Sequence, residues 1–199
     1  MKTLKQHIFE KLKVSSKKEY AYTLFPQTKD ELKQIIEKEI SKKGNECSLN
    51  HIDVSKITNM SYMFYDSEFD GDISNWDVSH VTNMKSMFLG SVFNGDISEW
   101  DVSNVKDMGY MFCDSKFNKD ISDWDVSNVE DMGYMFYTSK FNGDISEWDV
   151  SNVKNMYCMF YSSNFNGDIS KWDVSSVKDM HEMFNYSPLQ NNPPKWYKQ

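Results

Sequence analysis

The chain predicts an α/β fold: a solenoid of 24-residue coils, each a short strand and a short helical turn, behind an N-terminal helical cap. Three observations predict it. All twelve methionines after the initiator fall in pairs at 60/63, 84/87, 108/111, 132/135, 156/159 and 180/183. The tryptophans keep the same period, at Trp76, Trp100, Trp124, Trp148, Trp172 and Trp196. Between them a frame close to F-N-G-D-I-S-x-W-D-V-S-N-V-x-D-M-x-x-M-F-x-x-S-x starts at Phe69, Phe93, Phe117, Phe141 and Phe165. A unit this short cannot bury its own apolar face, so copies must stack on one another.

Residues 1–44 form the predicted cap. Leu4, Ile8 and Leu12, four apart, predict a short amphipathic helix over 3–13. Thr28 to Glu31 fits a capping box, Leu32, Ile35, Ile36 and Ile40 share one helical face, and Gly44 stands where a C-terminal cap belongs. These mark a helix over 29–43 that covers the first coil. Residues 45–199 form the predicted solenoid, six coils and a truncated one. The first coil, 45–68, is degenerate, with Asn45 at the Phe position and Ile52 at the Trp position, as suits a layer that meets a helix. In the second full repeat, Phe93 to Ser98, with Ile97 between polar Asp96 and Ser98, reads as a brief strand or extended turn. Val105, Met108, Met111 and Phe112 read as a helical turn. Phe93, Ile97, Trp100, Val102, Val105, Met108, Met111 and Phe112, with their equivalents, are the predicted core. At the far end Pro193 takes the strand Ile position, where it would stop another chain from adding to the edge. Lys119 replaces the glycine found at 71, 95, 143 and 167, which predicts strain of about 1 kcal/mol if that position is left-handed.

Charge is unevenly divided. Residues 1–44 carry eleven lysines against six carboxylates, and residues 45–199 eleven against twenty-four, so a cap near +5 precedes a body near −13. An acidic body repels phosphate backbones, which argues against nucleic-acid binding. The N-terminal residues lack the apolar stretch of a secretory signal, and no segment approaches the roughly 18 apolar residues of a membrane span. Cys47, Cys113 and Cys158 occupy three different repeat positions, and the four histidines do not cluster. That spacing supports no disulfide framework, no metal site and no cofactor. No G-x-S-x-G motif or unique acid–base pair stands out from the repeating carboxylates, so the chain reads as non-enzymatic.

Through the F-N-G-D-I-S-x-W-D-V-S-N-V-x-D-M-x-x-M-F frame, over residues 45–196, the chain resembles the BspA-like family of bacterial leucine-rich-repeat surface proteins. The resemblance implies a leucine-rich-repeat-like solenoid and a role in adhesion or macromolecular recognition at the cell surface. The missing export signal points instead to a cytoplasmic or virion-associated protein. The rival role is then a structural component of an assembly, such as a phage particle or an intracellular scaffold.

Two rows of side chains are candidate binding sites for a protein or glycan. One is acidic, with Asp72, Asp96, Asp120, Asp144 and Asp168 in register, a strip exposed if the strand half lines the concave face. Asp77, Asp101, Asp125, Asp149 and Asp173 repeat the pattern. Neighbouring carboxylates about 5 Å apart need pairing, by turn amides or by calcium between layers. The second is aromatic: Tyr62, Tyr110 and Tyr134 share one repeat position, and Tyr65, Tyr137 and Tyr161 another. Clustered tyrosine offers contact area at low entropic cost.

Overall fold

The computed structural model describes residues 21–198. The helix expected over 3–13 lies outside them. The longer helix is present: α1 spans Lys29–Lys43, with Thr28 Oγ1 accepting from the Glu31 amide at 3.2 Å. The Glu31 carboxylate reaches back to the Gln27 amide at 2.7 Å. Gly44, at φ 87°, ends the helix by donating its N–H to the Ile40 carbonyl. Leu32 and Ile36 are buried under it, so α1 seals an apolar layer. Just before it, Leu24 forms a parallel bridge with Ile52, and the Asp53 amide donates to the Leu24 carbonyl at 2.9 Å.

From residue 45 the chain winds in layers 24 residues apart, but the α/β class is overturned. Among the described residues the only helices are α1 and a 3-10 turn at Pro188–Asn191, and no extended strand forms. Isolated parallel bridges link Asn59, Asn83, Asp107, Asp131, Asn155 and Asp179 in register, one residue per coil. The coils are otherwise turns and irregular chain.

Both halves of the expected coil fail for identifiable reasons. In the M-x-x-M-F half, successive turns close within the coil, with the Met63 amide donating to Met60, Tyr65 to Tyr62 and Ser67 to Phe64. The alternate amides leave the coil altogether. Met60, Tyr62, Phe64 and Asp66 donate to the carbonyls of Asn83, Lys85, Met87 and Leu89 in the next layer, at 2.8–3.0 Å. A helix needs every amide to bond four residues back, so this division excludes it. Two left-handed residues per coil complete the exclusion: Tyr62 and Asp66 at φ 59° and 49°, with Ser86/Gly90, Tyr110/Asp114, Tyr134/Thr138, Cys158/Ser162 and Glu182/Tyr186 repeating them. In the F-N-G-D half, side chains take over the amides that a strand ladder would use. Asp96 Oδ1 accepts from the Ser98 amide at 3.0 Å, and the Asn94 amide donates to Asp70 Oδ1 at 2.7 Å. Asx-type bonds of this kind compete directly with regular structure.

Left-handed backbone is therefore required at those two rows and not at the row of Lys119. Gly95 is tight for another reason, since a Cβ there would meet the Phe93 ring at 2.7 Å. Gly90, at φ 70°, is the glycine that serves a left-handed position within the array. Thr138, β-branched at φ 50°, is the least suited residue in its row. Thr138→Asn is expected to stabilise the protein by about 0.5–1 kcal/mol, because asparagine tolerates this region. Thermal denaturation checks it, and a lowered midpoint would show that a Thr138 contact outweighs the strain.

The core is a set of ladders. The eight expected apolar positions are buried in the full coils, and the Val174, Val177 and Met180 positions of the last coil are partly buried. Each Trp indole N–H reaches back 27 residues to a carbonyl of the previous layer, as from Trp124 to Ile97 at 3.1 Å. The far end closes with Leu189 buried and Trp196 and Tyr197 packed against Phe184, at 6.2 and 4.9 Å between centroids. Val92, Lys116, Lys140 and Asn164 each donate an amide to the layer before. Pro188 holds the next place in that row and has no amide to give.

Candidate functional site

Equivalent rings in successive coils stack at spacings that differ from row to row. In the Phe69–Phe93–Phe117–Phe141–Phe165 row the centroids are 6.2–6.4 Å apart. In the Phe64–Phe88–Phe112–Phe136–Phe160–Phe184 row they are 5.5–6.0 Å apart. At the tyrosines the spacing falls to 4.4 Å for Tyr110–Tyr134 and 4.9 Å for Tyr137–Tyr161. The rings in each pair are within 12° of parallel. The tyrosine rows lie on the M-x-x-M-F half of the coil and the acidic row on the F-N-G-D half.

The two candidate rows differ in how much of their chemistry is already used. Asp72, Asp96, Asp120, Asp144 and Asp168 each accept from the amide of the serine two residues on, at 2.9–3.0 Å. For Asp120, Asp144 and Asp168 those backbone bonds, with the serine hydroxyls, hold the carboxyl below its usual range. Neighbouring Asp120 and Asp168 push Asp144 the other way, but less strongly than the serine bonds. Burial raises Asp72, yet the bonds from Ser74 and Asn50 outweigh it and the net direction is down. The repulsion expected along the ladder is thus met within each coil. Among the described residues no group of three His, Cys, Asp or Glu side chains could hold a metal ion. A shallow depression opens on this side between Asn142 and Asp144 of one coil and Asn166, Asp168 and Lys171 of the next.

A folded-state carboxyl held below its unfolded value stabilises the fold above the unfolded pKa and loses that contribution as pH falls through the folded one. Asp72, Asp120, Asp144, Asp168, Asp173 and Asp179 all shift in this direction. Asp107 runs the opposite way, raised by burial first. Stability is therefore expected to be level from neutral pH down to about 5 and to fall below about 4. Urea midpoints across that range check it, and a midpoint that rises on acidification would contradict the assignment.

The tyrosine row is continuous over four coils. Tyr110 stacks on Tyr134, which meets Tyr137 at 5.6 Å and the edge of Tyr157 at 5.1 Å. Tyr137 stacks on Tyr161, and Tyr186 closes the row at 5.2 Å from Tyr161. Tyr62 and Tyr65 form a separate pair in the first coil, 6.1 Å apart. They are exposed, as is Tyr186, while Tyr110, Tyr134, Tyr137, Tyr157 and Tyr161 are half-buried. Tyr157 and Tyr186 join a cluster that the sequence reading built from two repeat positions only. The clue available was their distance of one and four residues from those positions along the same turn.

Burial, and then the neighbouring Tyr134, push the Tyr110 hydroxyl up to about 12. That ring is therefore neutral at physiological pH. Tyr62, Tyr110 and Tyr134 stand at φ 58–60°, where a non-glycine residue costs about 1–2 kcal/mol. Cys113 and Cys158 are buried free thiols behind this face, and burial pushes Cys113 up to about 12. They are not placed or tuned as nucleophiles.

Among the described residues no helix is long and apolar enough to cross a membrane. None of the curated proteins and none of the solved structures matches the chain. The family described as Mycoplasma protein of unknown function, DUF285, matches residues 31–140 and 93–196. The chain belongs to that family, a repeat-containing, BspA-like bacterial family.

Proposed function

We propose that this family member is a non-enzymatic recognition module that binds a protein or glycan on its concave tyrosine face. The observation that carries this reading is the close ring stacking on the tyrosine side, which we read as the concave one. It gathers Tyr110, Tyr134, Tyr137, Tyr157, Tyr161 and Tyr186 into one aromatic surface. Repeat arrays characteristically use the concave side for binding, and aromatic side chains dominate the core of interfaces. The acidic row is the weaker candidate, since its carboxylates already close their own turns. Adhesion at a cell surface is the finer form of the same proposal.

Replacing Tyr110, Tyr134, Tyr137 and Tyr161 together by serine tests it in pull-downs from solubilised surface and matrix proteins and on immobilised glycans. The variant is expected to lose the ligands captured by the parent while keeping a cooperative melt. Capture unchanged by the four substitutions would remove the concave face from consideration.

A further inference from the structure

We propose that the concave tyrosine stacks receive the lysine side chains of a basic segment of a partner protein. This rests on the concave face being the binding surface, and it names the chemistry of what binds there.

The chain already performs this recognition on itself, twice. Lys29 Nζ lies 5.9 Å from the centroid of the Tyr62 ring while donating to Ser61 Oγ at 2.7 Å. Lys85 Nζ lies 6.0 Å from the centroid of the Tyr110 ring. Both lysines come from the preceding layer, α1 in one case and the second coil in the other. Each covers the first ring of a tyrosine group. An ammonium at this distance is attracted by the negative face of the ring.

Farther along the continuous row, Tyr137 on Tyr161 has no lysine over it among the described residues. One period before Tyr137 stands Cys113, short and buried, which supplies no cation. One and two periods beyond Lys85 stand Gly109 and Gly133, which supply no side chain either. Exposed Asp114, whose amide donates to the Tyr137 carbonyl at 2.8 Å, adds a carboxylate beside this group. Exposed Glu182 lies within electrostatic reach of Tyr137, Tyr157 and Tyr161. Rings flanked by carboxylates, on a body with eleven lysines against twenty-four acidic residues, suit a cationic guest. A neutral glycan would gain nothing from that charge.

The test is fluorescence anisotropy on the full chain with a labelled Lys/Ser peptide and a matched Glu/Ser peptide. The lysine peptide is expected to bind at least about tenfold more tightly. Tyr137→Leu with Tyr161→Leu should weaken it about fivefold or more, and the corresponding Phe pair should retain it, because the ring and not the hydroxyl attracts the cation. Asp96→Asn with Asp120→Asn and Asp144→Asn, on the F-N-G-D half, should change it less than about twofold. Equal losses from those aspartates and the Leu pair would overturn the proposal, reducing it to general attraction to a polyanion. So would loss in the Phe pair equal to that in the Leu pair. If the lysine peptide fails to bind while the four-serine variant still loses captured ligands, the cation seat falls and the concave face stands. If captured ligands are also unaffected, both fall.

Discussion

Phe112→Ala is expected to cost about 3–5 kcal/mol, the range for truncating a buried aromatic side chain. Phe112 is fully buried, with Phe88 5.7 Å away on one side, Phe136 5.8 Å on the other and Phe117 at 4.2 Å at the start of the next coil. The upper part of the range applies because the void cannot close. The Phe112 amide donates to Met135 at 2.9 Å and the Phe88 amide to Met111 at 3.0 Å, so the layers above and below are pinned at their present spacing. The same change at Phe184 should cost about half as much. There one neighbour is Phe160 at 6.0 Å, and the other side is covered by Trp196 and Tyr197 of the C-terminal tail, which can follow a smaller residue inward. Urea unfolding followed by circular dichroism and by tryptophan fluorescence checks both. In a stack whose layers touch only their neighbours, a weakened middle layer should also lower the cooperativity of the transition. Equal losses at the two positions would mean that the interlayer bonds do not hold the spacing.

The period, the core and the N-terminal helix were legible because each rests on burial or capping, which depend on residue type at a fixed spacing. Met108 and Met111 had to face inward whatever the backbone did between them. The backbone itself was not legible from that spacing. Three-residue spacing suits a helix, but it suits equally a run of turns whose alternate amides bond to the next layer. The choice is made by Tyr110 and Asp114 in the left-handed region, a conformation tyrosine does not announce. Asp96 and Ser98 likewise signalled a turn, and the Asx bond they form is why no strand extends through Ile97. For the candidate site, the two tyrosine rows could be read by counting. Their joining into one cluster with Tyr157 and Tyr186 could not, because that depends on the 4.4–5.6 Å ring contacts made once the layers stack.

Trp124→Phe separates the two contributions of the tryptophan ladder, and its expected cost is about 1.5–3 kcal/mol. The indole Nε1 donates to the Ile97 carbonyl at 3.1 Å in a site with 3% exposure. That carbonyl also accepts from the Trp100 amide at 3.1 Å, so losing the indole leaves it with one partner and avoids the full penalty of a buried orphan. The remainder comes from the volume that phenylalanine leaves empty against Phe112, whose ring lies 6.3 Å away. Trp196 makes the same bond, to Ile169 at 2.9 Å, but is only partly buried. Water can reach the Ile169 carbonyl and fill the space there, so Trp196→Phe should cost about 1 kcal/mol or less. Equilibrium unfolding of the two variants side by side measures the difference. If Trp196→Phe proves as costly as Trp124→Phe, the indole bond dominates the ladder and enclosure by neighbouring layers contributes little.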